Sequence, residues 1–387
     1  MSRQTVKLLV GSWWLLEHRM AFANPTEGKT KNMDEALRLV QRVNSQLGLT
    51  YSGCEFAVSG HLSHEVLLPD DISPSLQHMV QYNNPRGILL RDWQAGIRRG
   101  IYPQIGRMIP AGFGYPWSDR GAFVNSDPAV RKTSHDMLVY AMELSHWIKQ
   151  NGLGLGEVIY WTGPDGIRWK PLVEQGSDPV LSYGTVPQLM EWHSIVNGVG
   201  DAIRAAREKG LTGELVCIEG KPGGDPCYLD VMLDPRLENQ CIREINERAG
   251  VPEGELQAVW QNEFCHSRSG GVPFVESLQA AIDAGTFAGH IHFNSGGLGQ
   301  TDFRKLLAVG TRMSLFPQYV DNDFLPGQGP SEWIDDQVNS LRLAARWSQQ
   351  TGRPIYLEFD AKFIRYADTA GELEKSARWC LEHFFDA

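Results

Sequence analysis

The sequence predicts an α/β chain of (β/α)8 type, with extended loops and a C-terminal helical segment. Three observations predict it. Short apolar runs recur eight times, helical patterns lie between them, and polar residues collect at the ends of the later runs. The 387 residues fit one such barrel with long connections, so the expectation is a single domain over 1–387.

The runs span 7–13, 50–56, 106–112, 158–161, 214–219, 258–263, 289–293 and 354–360. After the first, Ala36, Leu37, Leu39, Val40 and Val43 repeat at helical spacing behind Asp34. Ile203 and Ala206 continue such a pattern up to Gly210, ahead of the fifth run. Leu341, Ala344, Ala345 and Trp347 do so up to Gly352, ahead of the eighth. Each glycine stands where a helix should stop. Eight strands, each followed by a helix, make a TIM barrel, and its active site lies at the C-terminal ends of the strands.

Polar residues stand where that rule wants them. VCIEGKP carries Glu219, with Lys221 two residues on. VWQNEFCH carries Glu263, with His266 three residues on. GHIHFN carries His290 and His292, which alternate with Ile291 and so share one face of a strand. IYLEFDAK ends in Asp360, preceded by Glu358, and Asp321 and Asp323 sit in the long segment before it. Carboxylates and imidazoles converging on one cavity need a cation among them. Mixed carboxylate and histidine donors suit Mg²⁺, Mn²⁺ or Co²⁺ better than a thiolate-seeking ion. The donor set suffices for two neighbouring metals that share one carboxylate.

Composition excludes other classes. The net charge is −10 and the pI about 5.6, which disfavours nucleic acid as a partner. No apolar stretch approaches the roughly 20 residues of a spanning helix, so no membrane role is expected. The opening run is too short for a secretory signal, and the six cysteines form no CxxC pair. Reduced thiols in a cytoplasmic protein are the expectation.

Read together, these motifs resemble the xylose isomerase superfamily. IEGKPGGDP resembles its E-x-K-P motif, NEFCH its E-x-x-H, DNDFLP its D-x-D-x-x-P loop and EFDAKFIR its F-D-A-K-x-x-R run. WTGPDG resembles the family's turn after strand four, and GAFVNSDPAVR its segment after strand three. They follow the family order along the chain.

The resemblance implies a metal-dependent aldose–ketose isomerase acting on a free monosaccharide by hydride shift, with two divalent metals per chain. One metal would be held by Glu219, Glu263, His292 and Asp360, the second by Glu263, His266, Asp321 and Asp323. Lys221 would hold the carbonyl end of the sugar. Trp13, Phe113 and Trp161 would wall the reacting carbons against water. A homotetramer or dimer is implied as well.

Three departures matter. His292 stands where xylose isomerases have aspartate, as in L-rhamnose isomerase. The segment between His292 and Asp321 is longer than the family's, which makes Asp302 a rival for one ligand place. The ring-opening base belongs at the end of strand two, where GCEFAVSGHLSHE offers Glu55, His61 or His64. A keto-sugar epimerase on the same barrel and a non-catalytic sugar-binding protein are the competing readings.

Overall fold

The computed structural model describes residues 6–11, 32–48, 52–57, 88–109, 123, 128–162, 186–220, 235–269, 272–295, 324–359 and 368–385. The first half of this order is β1 (Val6–Gly11), α1 (Met33–Leu47), β2 (Ser52–Ala57), α2 (Leu90–Arg98), β3 (Gln104–Ile109), α3 (Pro128–Gln150), β4 (Gly154–Thr162) and α4 (Val186–Glu208). It continues with β5 (Val216–Gly220), α5 (Pro235–Arg248), β6 (Ala258–Trp260), α6 (Phe264–Ser269) and α7 (Phe274–Asp283). It ends with β7 (His290–His292), α8 (Ser331–Thr351), β8 (Ile355–Phe359) and α9 (Thr369–Phe385).

The strands form one 8-stranded sheet in the order β6-β5-β4-β3-β2-β1-β8-β7, every ladder parallel. Two isolated parallel bridges, Trp260–Phe287 and Glu263–His292, link β6 and β7 at its two ends. This is the α/β TIM-barrel architecture that the alternation of runs predicts.

Each of the eight runs carries a strand, with shifted bounds. β4 starts at Gly154, four residues before the apolar run, because its first turn of sequence, Gly-Leu-Gly, hides the strand. Gly154 has φ 146°, and a Cβ there would stand 2.0 Å from the carbonyl oxygen of Ile105 on β3. Only glycine allows that approach. β6 stops at Trp260, not 263, since the chain then turns into α6.

Burial explains the runs. β5 is buried along its whole length, and so is β6. Parallel strands covered on both faces read as continuous apolar stretches. The helices show the complementary stripe. α1 buries Met33, Ala36, Leu37, Val40, Val43 and Leu47. Its cap is Asn32, whose side chain accepts from the Glu35 N–H at 3.0 Å, and it ends on Gly48 at φ 65°. Gly352 closes α8 in the same left-handed conformation, and Gly210 follows α4 at φ 85°. No helix among the described residues is long and apolar enough to cross a membrane.

Candidate metal centre

Three of the sequence-predicted donors come together. Glu219 lies at the end of β5, His292 ends β7, and Glu263 lies between β6 and α6. Their ligand atoms lie within 4.8 Å of one another, and all three residues are buried. His292 Nδ1 is 3.0 Å from Glu219 Oε2 and 4.0 Å from Glu263 Oε2. The ladders put them there: Glu263 bridges directly to His292. Neither Glu219 nor Glu263 is more than 2 % exposed, and two carboxylates held so close, out of water, need a cation or a proton among them.

The remaining contacts fix orientation. Glu263 Oε1 accepts from the Asn294 side-chain amide and, at 2.8 Å, from the Cys265 thiol. Asn294 Oδ1 in turn accepts from the Cys265 N–H at 3.0 Å. Glu263 Oε2 is thereby turned toward His292. Two carboxylates and an imidazole make a hard-to-borderline donor set, which fits a divalent ion of the Mg²⁺, Mn²⁺, Co²⁺ or Zn²⁺ type.

The other expected site residues divide in two. Glu55 lies in β2, in register with Gly11 and Arg107, Trp161 lies in β4 opposite Glu219, and His266 lies in α6 one turn after Glu263. The side chains of these three fall outside the described residues. Lys221, His61, His64, Trp13, Phe113, Asp302, Asp321, Asp323 and Asp360 fall outside them entirely.

His290 has a different fate from His292. Both are buried, but His290 faces a second polar layer deeper in the barrel. There Arg107 of β3 donates Nη2 to His290 Nδ1 at 2.8 Å, Nε to Glu157 Oε2 at 3.5 Å and Nη1 to Glu358. Glu157 Oε2 is 3.1 Å from His290 Nδ1, and the His290 ring stacks on Tyr356 with centroids 4.7 Å apart. Burial raises the Glu157 carboxyl to about 7, against the pull of Arg107. Burial and then Arg107 hold His290 well below the ordinary imidazole value, and burial pushes the Cys217 thiol up.

Sequence reasoning missed Asn294, Cys265, Arg107 and Glu157. Asn294 continues the alternation of His290 and His292, and that signal was legible. Arg107 and Glu157 each stand alone in an apolar strand, which is the mark of a buried charge needing a partner.

No family model matches the sequence, and no curated protein does. Solved structures do match. An IolI protein with a bound zinc atom superposes with TM-score 0.54 at 12 % identity, covering 98 % of this chain and 99 % of its own. A D-psicose 3-epimerase in the presence of D-fructose gives 0.51 at 12 %, covering 98 % and 99 %. The 3-keto-D-glucoside 4-epimerase YcjR from E. coli gives 0.50 at 12 %, covering 97 % and 99 %. The chain thus has the fold of the xylose isomerase-like TIM barrels.

Proposed function

We propose that this chain is a metal-dependent sugar isomerase that moves a hydrogen between adjacent carbons of a free monosaccharide, converting aldose to ketose. The convergence of Glu219, Glu263 and His292 at strand ends of this barrel carries the reading. A bound divalent ion supplies Lewis acidity toward the sugar's carbonyl and hydroxyl oxygens. Glu219, Glu263 and His292 would hold it, with Asp360 completing the set. His266, Asp321 and Asp323 would hold a second ion beside it.

The chain's own groups do the rest. Lys221, two residues beyond Glu219, stabilises negative charge developing on the carbonyl oxygen. Trp13, Phe113 and Trp161 exclude water from the reacting carbons. Glu55, His61 or His64 moves the proton that opens the ring. The whole chain acts as one catalytic domain in a cytoplasmic homotetramer or dimer.

A second reading is a keto-sugar epimerase, which inverts one carbon beside the carbonyl. The names of two structural relatives, a 3-epimerase and a 4-epimerase of keto sugars, favour it. One experiment separates the two. Metal-stripped protein is incubated with Mn²⁺, Mg²⁺ or Co²⁺ and a panel of aldoses and ketoses, and products are resolved by chromatography. Metal-dependent aldose–ketose conversion is the expected result. Conversion between ketoses alone would establish the epimerase, and no conversion of any sugar would refute both.

A further inference from the structure

Among the described residues the barrel interior holds two trios of metal-type donors, Glu219–Glu263–His292 and Glu157–Cys217–His290, each with ligand atoms within 4.8 Å of one another. They are stacked. Cys217 precedes Glu219 by two residues on β5, and His290 precedes His292 by two on β7, so each pair shares a face. All three residues of the second trio are buried. Its thiol makes it the softer set, suited by donor type to zinc or cobalt.

The second trio already contains a positive charge. The Arg107 guanidinium, itself wholly buried, donates to His290 Nδ1 at 2.8 Å and to Glu157 Oε2 at 3.5 Å. Those are the atoms a metal would take. Its third contact, to Glu358, anchors the guanidinium from β8.

We propose that Arg107 is the resident cation of the Glu157–Cys217–His290 trio and excludes metal from it, so that of these two trios Glu219–Glu263–His292 alone loads metal. The proposal rests on reading that first trio as the metal site. The physics is direct. The lone pair on His290 Nδ1 is engaged by Nη2, and a divalent ion placed among these donors would be repelled by a guanidinium at contact distance in a medium of low dielectric.

The test uses the full-length protein, Co²⁺, and two readouts: bound equivalents by equilibrium dialysis, and the near-ultraviolet thiolate-to-cobalt charge-transfer band. Arg107→Met is measured beside Arg107→Met/Glu358→Gln, because removing both charges of a buried pair is tolerated where removing one is not. Wild type is expected to bind cobalt without a band that depends on Cys217. The folded variants are expected to gain one further equivalent together with such a band. Cys217→Ser, but not Cys265→Ser, should abolish it in the same background.

A folded variant that takes up no more cobalt than wild type would overturn the proposal. A Cys217-dependent band in wild type would overturn it too, whatever the stability of the variants. Wild type that binds no cobalt, beside a variant that gains the band, would sink the metal reading of the first trio and support the role of Arg107.

Discussion

Glu263 gives its two carboxylate oxygens different surroundings. Oε1 is taken by the Asn294 amide and the Cys265 thiol, and Oε2 faces His292. Groups that orient a metal-binding carboxylate are typically worth about 10–100-fold in metal affinity. Asn294→Ala should therefore weaken divalent-metal binding by about that factor while leaving the fold intact; an unchanged affinity in a chelator competition would refute the assignment.

Glu157 and His290 make a second prediction at this scale. The Glu157 carboxyl rises from an ordinary 4.5 to about 7, so the folded chain holds a proton that the unfolded chain releases. Its contribution to stability falls as pH rises from about 4.5 to about 7. His290, held well below 6.5, acts in the opposite sense: stability is lost as pH falls below 6.5, where the unfolded imidazole takes a proton. Between pH 4.5 and 6.5 the two slopes offset each other. Glu157→Gln removes only the first. Its melting temperature relative to wild type should climb from pH 5 to pH 7, by the equivalent of about 3 kcal/mol at most. A pH-independent difference would contradict the raised carboxyl.

At the scale of elements, polar side chains from helices hold the pieces that carry the centre. Asn246 of α5 accepts from the backbone N–H groups of Gln257 and Ala258, both at 2.9 Å, and donates to the Ala258 carbonyl at 2.8 Å. It thereby pins the start of β6, the strand that leads to Glu263. Asp336 of α8 plays a similar part for α7. No side chain of its own N-terminus caps that helix, and Asp336 accepts from the N–H groups of Phe274 at 2.8 Å and Val275 at 3.0 Å. Asp336→Ala should lower unfolding free energy by about 1–3 kcal/mol in urea denaturation, since it leaves two helix N–H groups without their cap. A loss within experimental error would mean that water replaces the carboxylate.

At the scale of the whole molecule, the seam between β6 and β7 is the thin place in the sheet. Among the described residues two isolated bridges join these strands, and one of them is Glu263–His292. The donor trio therefore spans β5, β6 and β7. A metal held there would tie the seam together, stabilising the folded chain by about 2.7 kcal/mol at roughly 100 times its dissociation constant. Stripping the metal should lower the melting temperature and speed amide exchange at 258–263 and 290–292 ahead of β1 to β4. Uniform exchange with and without metal would count against a site at the seam.

The alternation of apolar runs and helical stripes was enough to give the (β/α)8 order. A strand buried on both faces and an amphipathic helix each have a local periodicity, and that periodicity survives in one dimension. Glu219, Glu263 and His292 were legible for a related reason: strand ends in this fold point at one cavity. Other features had no local signal. Gly154 is dictated by the approach of Ile105, and the partition of His290 from His292 by Arg107, which lies 183 residues before His290. The sequence by itself determined the fold class and the donor types. Only the tertiary structure decided which donors face one another and which already hold a cation, because those pairings join strands far apart in the chain.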